Sequence, residues 1–249
     1  MSGHSKWATI KRKKGKADAE RGRMFTKLIK EITVAARQGG GDPDANPRLR
    51  TAIGTAKAAN MPADNIKKAV QKGTGELPGV NYEEVTYEGY GTAGVAVFIS
   101  CLTDNRNRTV AEIRHLFSRF NGNLGENGCV AWMFDKTGII EVNTSVVDED
   151  TLLEIVLEAG ATDMSKQGEV YEIVTPPMDL EQIRAAIEAK SIPVASAEVT
   201  MIPQNTIKLN EKQAETMLKL YEAIEEHDDV QAVYANFDIA DSIMEKLAG

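Results

Sequence analysis

Hydrophobic periodicity changes abruptly across GTGELPGVN, Gly73 to Asn81, and that change divides what the chain can fold into. Upstream, the spacing is helical. Phe25, Leu28, Ile29, Ile32, Ala35 and Ala36 form one stripe between Met24 and Arg37. GGGDP interrupts it; Asn46 then caps, and Pro47 opens, a second helix with Leu49, Ile53 and Ala56 on one side. Pro62 opens a third, with Ile66 and Val70 inward and Gly73 as its stop. Three short helices on short connections predict a small bundle with a thin, Ala-rich core, only marginally stable alone.

Downstream the pattern alternates between strand and helix. VTYEGYG and GVAVFISCLTD read as two strands around a turn, followed by a helix from about Thr109 to Phe120. Thr109 and Glu112 have capping-box spacing, and Val110, Ile113, Phe117 and Phe120 make the stripe. GCVAWMFDK reads as a third strand. TGIIEVN, DEDTLLEIVLEAG, an extended piece near Asp163, EVYEIVTP, DLEQIRAAIEAK and VASAEVTMIP then run β-α-β-β-α-β, the ferredoxin-like order. The tail adds a helix capped by Asn210, with Ala214, Met217, Leu218, Tyr221 and Ile224 inward, and a strand, VQAVYANF. Alone, that pair has no sheet to join, whereas the β-β-α-β run before it lacks an α-β. The expected fold is therefore α+β and multidomain: a three-helix bundle over 1–77, a discontinuous α/β domain over 78–136 plus 206–249, and an inserted ferredoxin-like domain over 137–205.

Charge follows the same division. Through Lys72 there are 17 Lys and Arg against 6 Asp and Glu, although the whole chain carries −8. A basic head on an acidic body is the footprint of a protein that meets polyanions with one end. The cations begin with Lys6, Lys11, Arg12, Lys13, Lys14, Lys16 and Arg21, a block that repels itself and stays mobile until phosphates neutralise it. Trp7 within it either stacks on a base or guards a helix contact. Arg23, Lys27 and Lys30 continue the positive charge along the first helix as a rail. The 137–205 segment is the most acidic and should face away from nucleic acid.

Chemistry is sparse by comparison. Cys101 and Cys129 lie in apolar runs without CxxC spacing and read as buried free thiols; His4, His115 and His227 are scattered, so neither a metal site nor a cofactor is expected. GYGTAG matches GxGxxG but precedes a strand instead of opening a helix, and reads as a hairpin turn. No triad, metalloprotease or phosphate-loop motif is present, so neither an enzyme nor a small-molecule substrate is expected. No apolar run approaches the roughly 18 residues of a membrane span, and no membrane partner is expected. LTDNRNRT, Leu102 to Thr109, lies between a strand and a helix start, where unsatisfied N–H groups favour an anion. Asp104, Asn105 and Asn107 suffice for the turn and cap, which leaves Arg106 and Arg108 for phosphate.

Several long blocks resemble the YebC/PmpR family in order: GHSKWATIKRKKGKADAERGRMFTKLIKEI, GGGDPDANPRLRTAI, NMPADNIKKAVQKG, YEGYGTAG, LTDNRNRTVAEIRH and MFDKTGII. They cover most of residues 2–140. The resemblance implies three domains and a cytoplasmic bacterial protein described as a probable transcriptional regulator that binds promoter DNA. Its mitochondrial relative is a translational activator of cytochrome oxidase, and some bacterial members are tied to the ribosome and to stalling at proline runs. The expected partner is therefore promoter DNA or, alternatively, ribosomal RNA.

Overall fold

The computed structural model describes residues 17–248. Its first helix, α1 (Ala17–Gly39), begins well before Met24, inside the block read as mobile. The sequence ADAER explains this. Ala favours helix, and Asp18 and Glu20 break the run of like charge before Arg21.

The head is completed by α2 (Pro47–Ala58) and α3 (Ala63–Thr74). Asn46 accepts the Leu49 N–H at 3.1 Å, and its amide donates to the carbonyls of Ala35 and Gly40, so one buried side chain caps α2 and ties it to the end of α1. Ile32, Ala35, Leu49, Ala56, Ile66 and Ala69 meet in the small core that the periodicity predicts. Gly73, however, does not stop α3. That role falls to Gly75, left-handed at φ +84°. A Cβ on Gly73 would lie 2.5 Å from the Thr33 carbonyl oxygen, so its glycine lets α3 sit directly on α1.

The α/β part contains β1 (Glu83–Tyr90), β2 (Ala96–Thr103), α4 (Arg106–Arg119) and β3 (Asn123–Leu124). β1 and β2 form an antiparallel hairpin whose turn uses Ala93 and Gly94 at positive φ, as GYGTAG suggests. α4 starts three residues before the expected Thr109. Asn105 is its cap, and Thr109 is buried within it. GCVAWMFDK is not one strand: β3 is only two residues long, and Gly125 to Met133 is a loop ending in a short 3-10 turn. Buried Glu88 holds that loop, accepting the N–H groups of Gly128, Val130 and Ala131 at 2.6–2.8 Å.

The chain returns to this sheet after residue 206, with β8 (Ile207–Lys208), α7 (Glu211–Glu225), β9 (Val230–Ala235), β10 (Phe237–Asp238) and α8 (Asp241–Ala248). β9 pairs antiparallel with β2, giving the order β3-β1-β2-β9. The β9–β2 ladder is the junction expected between the two halves of a discontinuous domain. Phe117 and Ile113 of α4, together with Met217, Tyr221 and Ile224 of α7, cover one face of the sheet. The small parallel pair β8–β10 and helix α8 carried no distinct sequence signal.

Residues 132–206 form a compact unit of their own. It contains β4 (Phe134–Asn143), α5 (Glu149–Ala159), β5 (Asp163–Gln167), β6 (Val170–Thr175), α6 (Leu180–Ala189) and β7 (Ser196–Pro203). Its antiparallel sheet runs β5-β6-β4-β7, which is the ferredoxin-like arrangement. Ile140, Val142, Ile173, Leu152 and Ile183 lie in its core. Phe134 to Lys136, expected to close a strand of the preceding domain, instead open β4 and pair with Met201 to Pro203.

Candidate nucleic-acid interface

Two cationic segments far apart in sequence converge on one carboxylate. Asp229, in the turn between α7 and β9, is buried, yet four donors reach its two oxygens. Its Oδ1 receives the Lys30 ammonium from α1 at 2.7 Å. Its Oδ2 receives the Arg108 guanidinium at 2.7 Å and the hydroxyls of Thr109 and Thr103 at 2.7 and 3.1 Å. Burial alone would raise this carboxyl, but the hydrogen bonds from Lys30, Arg108 and Thr109 outweigh it and hold Asp229 well below the ordinary carboxylate range.

Lys27 and Arg23 of α1 turn the same way, and Lys30 makes a second contact there. Lys27 donates to the Glu225 carbonyl at 2.7 Å and Lys30 to the Asp228 carbonyl at 2.9 Å, both at the negative end of the α7 dipole. Arg23 pairs with Glu226 at 3.2 Å. Further along, Arg37 donates to the Asn81 side chain and the Val80 carbonyl, and Arg48 binds Glu31 at 2.6 Å and Glu84 at 2.5 Å. The head is thereby fastened to the α/β part at several points.

Beside the node lies an open cleft of about 640 Å³, lined by Tyr82, Asp104, Arg108, His227, Asp228 and Asp229. The Lys30 ammonium sits 5.5 Å from the Tyr82 ring centre. His227 accepts the Asp229 N–H at Nδ1, which leaves Nε2 to donate to Glu112 at 2.8 Å. Charges here are balanced by carboxylates, so the cleft has little positive potential to offer an anion.

The candidate residues fare differently. Lys6, Trp7, Lys11, Arg12, Lys13, Lys14 and Lys16 lie outside the described residues. Arg21 and Arg106 are exposed. Arg23 and Lys27 are half-buried and engaged by α7. Lys30 must be corrected: it is 7% exposed and neutralised internally, so it is not part of a phosphate-facing rail. Arg108 is exposed at its rim but divides its guanidinium between Asp104 and Asp229. Asn105 caps α4 by accepting the Arg108 N–H at 3.0 Å, so the loop's own side chains fill the anion position.

Asp229, Thr103 and Thr109 were missed by sequence reasoning. An Asp-Asp pair before a strand looks like a solvated turn until the helix that lands on it is known. Cys101 is buried as expected, and burial pushes its thiol up to about 12, so it stays protonated; Cys129 is only half-buried, in the loop held by Glu88. No helix among the described residues is long and apolar enough to cross a membrane. Nor does any group of three His, Cys, Asp or Glu among them lie in position to hold a metal ion.

Comparison with known proteins agrees with this architecture. A curated protein of Desulfosudis oleivorans, named a probable transcriptional regulatory protein, is 59% identical over 98% of this chain and 100% of its own length. One of the same name from Geobacter sulfurreducens is 60% identical over 99% of this chain and 100% of its own. The crystal structure of a conserved hypothetical protein from Aquifex aeolicus superposes with a TM-score of 0.82 at 49% identity, covering 91% of this chain and 93% of that one. Family models described as the TACO1/YebC N-terminal domain and the TACO1/YebC second and third domain match residues 5–76 and 82–237. The chain belongs to the TACO1/YebC family.

Proposed function

We propose that this protein is a cytoplasmic, non-enzymatic transcriptional regulator that grips promoter DNA through its basic N-terminal segment. The observation that carries this reading is the charge division: 17 Lys and Arg against 6 Asp and Glu through Lys72, and 12 against 31 beyond it. Relatives named as probable transcriptional regulatory proteins support it. Because Lys30 and Arg23 pair with Asp229 and Glu226 just beyond α7, and the Glu225 carbonyl holds Lys27, the grip falls chiefly to Lys6, Lys11, Arg12, Lys13, Lys14 and Lys16, with Arg21 and Arg106 as exposed additions. Cations of this kind displace counterions from phosphates and bring affinity with little base information.

Replacing Lys11, Arg12, Lys13 and Lys14 together by Ala tests the reading. Affinity for a promoter duplex should fall, and the slope of log K against log salt should flatten by about one unit per lost phosphate contact. Unchanged affinity for every nucleic acid would refute the grip. A parallel gradient co-sedimentation identifies the polyanion. Retention on ribosomes with only non-specific DNA binding, roughly 10⁻⁴–10⁻⁶ M, would replace DNA by ribosomal RNA as the partner.

A further inference from the structure

Three exposed lysines of the head lie together on α3. Lys67, Lys68 and Lys72 are exposed, and none of them meets a carboxylate within ion-pair distance among the described residues. Asp64 is the sole acid in the helix. At 100° per residue the three lysines fall within one arc, opposite Ile66, Ala69 and Gly73. Lys68 and Lys72 stand one turn apart, about 6 Å along the axis. Lys57, in the last turn of α2, is exposed as well.

Packing fixes this face outward. Gly73 brings α3 against the Thr33 carbonyl, and the Thr33 hydroxyl donates to the Ala69 carbonyl at 3.3 Å. A helix held this closely cannot roll to hide its lysines without rebuilding the head core. The contrast with α1 is direct: Arg23, Lys27 and Lys30 are engaged by α7 and the turn after it, whereas Lys67, Lys68 and Lys72 meet no carboxylate within ion-pair distance among the described residues, Glu76 being held instead by Gln71 and Thr74.

We infer that the outer face of α3, Lys67, Lys68 and Lys72, is a second phosphate-contact surface for the DNA backbone. It rests on the nucleic-acid reading above and adds to it the part of the folded head that touches the polyanion. Lysine ammoniums are compact point charges without the planar fork that reads guanine, so this surface contributes affinity and salt dependence but no sequence preference.

The test compares four full-length variants, the Lys11–Lys14 quadruple Ala variant among them, on a random-sequence duplex of about 30 base pairs, titrated from about 50 to 200 mM salt. Lys67→Ala/Lys68→Ala/Lys72→Ala should lower the salt slope by about 2 to 3 and weaken binding by about tenfold or more at the low-salt end, with an unchanged melting temperature. The triple charge reversal to Glu should weaken it further. Lys166→Ala/Lys190→Ala/Lys212→Ala, which removes three exposed lysines elsewhere, should leave binding unchanged. Equal loss in that control would overturn the inference, since only net charge would then matter. An unaffected α3 triple beside a weakened Lys11–Lys14 variant would overturn the α3 surface and leave the arm standing. If neither variant loses affinity, the nucleic-acid reading falls and takes this surface with it.

Discussion

Lys30 delivers its ammonium from α1 to a carboxylate that is 3% exposed, and each group is there because of the other. Removing one partner leaves a buried charge without its counterpart, which typically costs about 3–5 kcal/mol. Lys30→Met should therefore lower the unfolding free energy measured by urea titration by that order, moderated by the Arg108 guanidinium that remains on Asp229. Lys30→Met/Asp229→Asn should cost less than the two single changes added together, because the double change leaves no orphaned charge. Acid separates the node from ordinary packing. The folded Asp229 carboxyl is depressed relative to its unfolded value of about 3.9. Its stabilisation is thus complete above about pH 4 and is lost as pH falls through the folded value. Asp229→Asn should flatten stability against pH below 4, and an unaltered acid limb would show that the node holds nothing. None of this was legible from local sequence. Lys27 and Lys30 occupy the polar face of an amphipathic stripe, where solvent is the ordinary neighbour; only the position of the α7 C-terminus makes them internal.

Among the elements, capping chemistry was the most readable signal, because a cap acts within a few residues of itself. Asn46 and Asn210 do what their positions suggest: Asn46 accepts from Leu49, and Asn210 forms a reciprocal box with Gln213. The glycines near the end of α3 were misread for a complementary reason. Gly73 and Gly75 both look like stops, and the choice depends on whether α1 passes within van der Waals reach of one of them. Gly73→Ala would drive a methyl into the Thr33 carbonyl and the Ala36 side chain, so the head should lose about 1–3 kcal/mol in thermal unfolding. The same substitution at exposed Gly54, where nothing lies within 4 Å of the added methyl, should instead stabilise α2 by up to about 1 kcal/mol. An equal response at the two sites would mean that the α1–α3 approach imposes no constraint. Capping-box spacing at Thr109 misled by the same mechanism: its hydroxyl is used by Thr103 and Asp229, and the true cap is Asn105.

At the scale of the molecule, a sheet that lacks a strand can be completed only by chain that comes back. β2 has β1 on one side and takes β9 on the other, more than a hundred residues later. The order of elements carried this part of the architecture, because a lone helix and strand at the tail must find an existing sheet. The exact hand-over did not show, since Phe134 to Lys136 continue directly from the apolar run Val130 to Met133 and carry no turn residue to mark a break before Thr137. The ferredoxin-like unit brings its own four-stranded sheet and core, so residues 132–206 expressed alone should melt cooperatively. The remainder, with a flexible Gly-Ser linker in place of that unit, should also fold, since β3-β1-β2-β9, α4 and α7 are all retained. If the cations of the arm and of α3 make the grip, this shortened protein should bind a random duplex with the salt slope of the full chain. Its affinity should be equal or higher, because 14 Asp and Glu against 4 Lys and Arg are lost with residues 132–206. A shortened protein that folds by circular dichroism but no longer binds would place essential contacts in the acidic unit, and the division of labour between a positive head and a negative frame would be wrong.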